Sequence, residues 1–204
     1  MIVPRQPRSR LVLVGVALTC CGLGVLTPAS LAATPAAAPT RASTPAARPS
    51  PRAALLAALQ GIDTVPNAAA LRRAAPDNTV AELVAIATDA RISGWIRLRA
   101  VSVLPMLGAP AADPLRQLAD RGDLSTRLRW WAVYGWLRSS VPPAQALAQA
   151  RRWLASPDWQ VREAVVRGLR HVTGEPVTRL LQQHAEVERD ATVRAALRHV
   201  ARRR

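Results

Sequence analysis

Ser156-Pro157-Asp158-Trp159-Gln160-Val161-Arg162-Glu163-Ala164-Val165-Val166-Arg167-Gly168-Leu169-Arg170-His171-Val172 reads as one capped amphipathic helix. Asp158 is the N-cap, because its carboxylate can accept the N–H groups left without partners in the first turn. Behind it Val161, Ala164, Val165, Gly168, Leu169 and Val172 fall at helical spacing in one apolar stripe. The pattern recurs along the chain. An aliphatic residue followed by Arg stands at Ile96-Arg97, Leu128-Arg129, Val161-Arg162 and Val193-Arg194. Three residues before each aliphatic sits a capping type: Ser93, Ser125, Asp158 or Asp190. Four residues after it comes Ala100, Ala132, Val165 or Leu197, and seven after it Val103, Gly135, Gly168 or Val200. A cap, a stripe and an arginine kept in register four times, at intervals of 32, 33 and 32 residues, make a tandem repeat.

The segments between these helices are helical too: 79–90, 110–121, 143–155 and 175–188 are rich in Ala and Leu, with acids and arginines on the opposite face. Leu83, Leu115, Leu147 and Leu180 keep the same period, so each unit is helix–loop–helix. One pair cannot cover its own apolar stripe. Neighbours must stack, and the expected fold is all-α, a right-handed α-solenoid of about four to five units.

The ankyrin and tetratricopeptide signatures are absent in register. The run Asp-x-x-Val-Arg-x-x-Val/Leu at Asp158 and Asp190 resembles the short HEAT-like repeat, of the kind also found in phycobilin-lyase-type proteins. The resemblance covers about residues 63 to 204 and is best in the last two units. It implies a structural ladder in which the Asp caps a helix and the Arg pairs within or between repeats. By position that role falls on Asp158, Arg162, Asp190 and Arg194, with Arg97 and Arg129 as matching arginines. Ser93 and Ser125 replace the Asp in the earlier units. No bilin pocket is marked, so lyase activity does not follow from the likeness.

Residues 1–33 have the order of an export signal. Arg5, Arg8 and Arg10 precede an apolar run from Leu11 to Leu26, and small residues then lead to a cleavage site after Ala32. The run is short for a membrane span, which takes about 20 residues, and an uncleaved anchor is the alternative. Leu18-Thr19-Cys20-Cys21 resembles a bacterial lipobox with Cys21 as the lipidated residue, although Cys20 departs from the usual small residue. Residues 34–52, built from Ala, Pro, Thr and Ser with isolated arginines, are expected to be a disordered tether. Residues 53–204 form the repeat domain, with 63–75, Pro66 in its first turn, as a degenerate first unit.

The chain has a formal charge of +15 and no Lys; loss of residues 1–33 removes three arginines and no acid, leaving +12. Abundant Ala, Arg and Pro are typical of GC-rich coding, so part of this charge is composition. The rest attracts anions or coats a solvated face. Both cysteines belong to the export segment, which leaves the mature chain with no disulfide framework.

No catalytic motif is present. His171, His184 and His199 stand on different helices, without a His-Glu-x-x-His motif, and neither a Gly-rich phosphate loop nor a Gly-x-Ser-x-Gly elbow occurs. Glu186, Glu188 and Asp190 beside Arg189 read as a cap and a solvated turn. No enzyme activity, cofactor or metal is expected.

Six tryptophans stand out in a chain with no Phe and one Tyr. Trp131 and Trp136 match the stripe positions Ala164 and Leu169, which predicts core. Trp95 and Trp159 are expected to fill gaps between repeats. Trp130, Val133 and Tyr134 lie on the other side of their helix, matching Glu163, Val166 and Arg167. The HEAT-like resemblance places second helices on the concave surface, so Trp130, Val133 and Tyr134 would present an aromatic step there beside Arg99, Arg138 and Arg167. The alternative is that they pack under a loop. Two functional readings follow: an exported scaffold holding a protein or peptide on its concave face, and an anion or glycan binder of the cell envelope. Either places the protein in the periplasm or cell envelope, with an extracellular or lipid-anchored location as the alternative, as a monomer whose only membrane contact is through a lipid anchor. Nucleic acid is not an expected partner.

Overall fold

The computed structural model describes residues 49–61 and 63–202. These residues form ten α-helices and no strand: α1 (Pro51–Gln60), α2 (Ala68–Ala74), α3 (Thr79–Thr88), α4 (Gly94–Val103), α5 (Ala112–Asp120), α6 (Thr126–Arg138), α7 (Pro143–Leu154), α8 (Trp159–Leu169), α9 (Glu175–Val187) and α10 (Ala191–Ala201). The chain is all-α over this span. The expected export segment, with Cys21, and residues 34–48 of the expected tether lie outside the described residues. Pro51 and Arg52, counted with that tether, open α1, where Ser50 caps the helix by accepting from the Ala53 N–H at 3.3 Å.

Side-chain caps start the second helices. The carboxylate of Asp158 accepts from the Gln160 N–H at 3.0 Å, and that of Asp190 from Thr192 and Val193 at 2.8 and 3.1 Å. Ser125 accepts from Leu128 at 3.4 Å, whereas the Ser93 side chain makes no cap bond. Asn67 caps α2, so Pro66 precedes that helix and does not sit in its first turn. α4 ends at Val103 because Pro105 offers no N–H to continue it. A 3-10 turn at Leu104–Leu107 follows, then Gly108 at φ 77°, a region open to glycine. A second 3-10 turn at Ala109–Ala111 delays α5 to Ala112, two residues after the start read from the sequence.

Each odd-numbered helix packs on the even-numbered one that follows, giving five pairs. The second helices also meet in chain order: α4 on α6, α6 on α8, α8 on α10. Every residue of the four periodic stripes is buried, from Ile96, Ala100 and Val103 to Val193, Leu197 and Val200. Removal of this apolar surface from water is the main favourable term in holding the pairs together. Two hydrogen bonds join residues one period apart: the Trp130 indole N–H donates to Glu163 at 3.0 Å and that of Trp153 to Asp120 at 2.7 Å. Leu83, Leu115 and Leu180 are buried as expected. Leu147 is only half-buried, because α7 turns Ala146, Ala150, Trp153 and Leu154 inward instead.

Glycine sets the closest helix approach. A Cβ on Gly168 would lie 2.6 Å from Leu137 Cδ1 and 2.8 Å from Leu137 Cβ, so α8 meets α6 where only glycine fits. Gly135, one period earlier, faces Pro105 Cγ at 2.9 Å in the same way.

The tryptophans divide differently from expectation. Trp136 is core at 1% exposure and packs edge-on against Trp153, ring centroids 5.1 Å apart. Trp131 is half-buried and not core. Its position matches Ala164, which is fully buried; a site that closes over a methyl group cannot close over an indole, so the ring extends outward. Trp95 and Trp159 do not fill gaps between units but are 44% and 39% exposed, because both stand in the first turn of their helices, beyond the packed region.

Candidate recognition face

The sequence pattern puts Arg127, Trp130, Trp131, Tyr134 and Arg138 at i, i+3, i+4, i+7 and i+11, one face of α6. In the structure the three rings form one cluster. Trp130 stacks on Tyr134 with centroids 5.1 Å apart and planes at 27°, and Trp131 meets both edge-on at 5.2 and 6.1 Å. Trp130 is half-buried, tied to α8 through Glu163, which also takes the Arg167 guanidinium at 2.7 Å.

Tyr134 is more enclosed than a residue matched to an exposed Arg167 should be: it is 9% exposed. Residues of the next unit cover it. Arg170, just past α8, donates to the Tyr134 hydroxyl at 2.9 Å and to His171 Nε2 at 2.9 Å, and the His171 ring lies edge-on to Tyr134 at 5.9 Å. The guanidinium carbons of Arg138 and Arg170 lie 5.4 and 5.8 Å from the Tyr134 centroid, within cation–π range. His171 is held below its ordinary pKa, first by burial and then by the cations of Arg170 and Arg138.

The structure therefore joins Trp130, Tyr134, Arg138 and Arg167 and leaves out two of the residues named with them. Val133 is fully buried: it points into the packed side of α6 and has no surface to offer. Arg99 lies on α4, where it stacks on Trp95 at 5.4 Å and donates to the Thr64 carbonyl. Arg170, His171 and Glu163 belong to the cluster and were not singled out from the sequence. One signal could have found Glu163, since residues one period apart touch when units stack.

The ladder residues lie elsewhere. Arg97 and Arg129 each donate Nε–H to a carbonyl ending the preceding helix, Ala87 at 2.9 Å and Ala119 at 3.2 Å. Such bonds satisfy acceptors that a helix end leaves open. Arg129 also reaches Asp158 of the next unit at 3.6 Å. Arg162 pairs not with an Asp but with Glu188 of the next unit, through two bonds of 2.8 and 2.9 Å. The Glu188 carboxylate further accepts from the Arg189 and Asp190 N–H groups and lies 2.9 Å from His184 Nε2. Its side chain is 2% exposed, so Glu188 departs from the solvated turn expected of this segment, whereas Glu186 and Arg189 are exposed and Asp190 caps α10. Arg194 is exposed and has no acidic partner among the described residues.

Among the described residues no group of three or more His, Cys, Asp or Glu is placed to hold a metal ion, and no helix is long and apolar enough to cross a membrane. Comparison with protein-family models, curated proteins and solved structures returns no match for this chain.

Proposed function

We propose that the chain is an exported, non-catalytic scaffold, a right-handed α-solenoid of HEAT-like helix pairs that holds a protein or peptide on the face of its second helices. Ordered contacts from α4 to α10, and hydrogen bonds between residues one period apart, support the solenoid. The basic, apolar, small-residue order of residues 5–33 supports export to the periplasm or cell envelope.

One observation carries the binding role. Trp131 and Trp130 keep open ring surface beside Arg138 and Arg167 at positions where the next unit manages with Ala164 and Glu163. Trp130 ties its unit to the next through Glu163, but stacking does not require an indole at 131, where the next unit has Ala164. Aromatic side chains flanked by arginine are the composition of interface hot spots. A photoreactive residue at position 131, compared with one at the exposed Gln182 of α9, tests this in producing cells. A discrete protein adduct from 131 and none from 182 is expected; equal labelling, or none at either, removes the reading. The arginines favour a second reading, an anion or glycan binder, whose affinity would fall steeply with salt whereas apolar contact would not.

A further inference from the structure

The arginines are not shared evenly between the two helices of a unit. The second helices α4, α6, α8 and α10 carry nine arginines and one acid, Glu163. The first helices of the same units, α3, α5, α7 and α9, carry four arginines and five acids. Coding bias raises the arginine content of a chain but does not choose a layer. The single acid is already committed, to Arg167 and the Trp130 N–H. Among the described residues Arg127 and Arg138 are exposed and have no acidic partner. Arg138 and Arg170 crowd one tyrosine ring beside His171 with no carboxylate between them. Like charges held over one buried ring repel each other, and an outside anion would relieve that repulsion.

The cations bracket an apolar step. Arg127 and Arg138 stand eleven residues apart on one face of α6, roughly 16 Å at the helical rise, with Trp130 and Trp131 between them. That span is the reach of about five extended residues. We infer that the α6–α8 face takes an acidic peptide segment of a partner protein, carboxylates on Arg127, Arg138 and Arg170 and an apolar side chain against Trp131. This rests on the protein-binding reading above and names the class of partner. Charge excludes the chain's own residues 34–48, which hold arginines and no acid. A uniform polyanion would leave the indoles unused.

The test is a fluorescence titration of the full chain with a labelled peptide carrying two glutamates on each side of a Leu-Trp pair. The same peptide with glutamine for glutamate, heparin, and vesicles containing anionic lipid are the comparisons. The glutamate peptide is expected to bind at least tenfold more tightly than the glutamine one. Arg127→Glu/Arg138→Glu should weaken it at least tenfold, and Trp131→Ala severalfold. Should the double variant melt early, Arg138→Gln alone is used, with a smaller loss expected. His171 supplies a second readout: an anion on Arg138 and Arg170 offsets their repulsion, so its imidazole should titrate at higher pH in the complex. Equal affinity for both peptides, with loss on Trp131→Ala, would overturn the acidic class and spare peptide binding. Heparin or vesicles binding as tightly, without regard to Trp131, would show a polyanion surface and overturn both, as would no binding by either peptide. Dimerisation that excludes the peptide would identify a second copy as the occupant and overturn the inference.

Discussion

At the scale of single residues, the decisive contrast is between side chains that look alike in sequence. Trp131→Ala should change stability by less than about 1 kcal/mol, whereas Trp136→Ala empties a closed core site and should cost about 3–5 kcal/mol. Thermal melts of the two variants check this. Truncating Trp130 and Tyr134 together should cost more than a surface change, because it takes one donor from the buried Glu163, which keeps Arg167, and removes the ring on which Arg170 packs. Glu188 offers a pH test. Its carboxyl is lowered from 4.5 to about 2, chiefly by the bonds from Arg162, with help from the Asp190 N–H and His184 and against the effect of burial. A depressed pKa means stability fully present above about pH 4.5 and lost as pH falls toward 2, on the order of 3 kcal/mol for such a shift. Glu188→Gln should flatten that part of the acid limb in pH-dependent denaturation. Asp89, held at about 2 mainly by Arg91, titrates in the same window and will keep some of the slope. At neutral pH, Arg162→Ala should cost about 3 kcal/mol, since it leaves a buried carboxylate unpaired, while Arg127→Ala stays within about 0.5 kcal/mol. Equal denaturation midpoints for those two would show that the Arg162–Glu188 pair does not hold neighbouring units together.

At the scale of helices, glycine decides the packing. Gly168→Ala improves helix propensity by about 1 kcal/mol and would stabilise an isolated α8. In the protein it should instead destabilise by about 1–3 kcal/mol, the usual range for forcing an extra carbon into a packed core. One of the clashing atoms is Leu137 Cβ, which no rotamer change can move away. Urea titration of Gly168→Ala measures the sign. Two glycines one period apart were visible in the sequence as interruptions of the apolar stripe at Gly135 and Gly168. That each marks a close approach, against Leu137 and Pro105, needed the positions of the neighbouring segments.

At the scale of the whole described chain, stability should be graded along the sequence. α8 packs mainly against α6, α7 and α10, whereas α10 rests mainly on α8 and α9 and the short α2 on α1 and α3. Backbone amides of α6 and α8 should therefore exchange slowest, and those of α2 and α10 fastest, because end units open without disturbing the middle. Uniform protection across all ten helices in hydrogen-exchange mass spectrometry would contradict this gradient.

The sequence by itself determined the helices, the caps at Ser125, Asp158 and Asp190 and the buried stripe, because a period of 3.6 residues and a capping side chain act through neighbours a few residues away. It also placed Trp130, Tyr134 and Arg138 on one helix face, for the same local reason. It could not assign Trp131, because periodicity tells which way a side chain leaves the helix and not how much room it finds there. Nor could it pair Arg162 with Glu188 in place of Asp158, or bring Arg170 and His171 onto Tyr134. Those contacts join residues 26 to 37 positions apart, and their geometry depends on how far one unit is displaced and turned against the next. That displacement is set by the summed packing of whole helices, by Gly168 against Leu137 above all, and only the tertiary structure contains it.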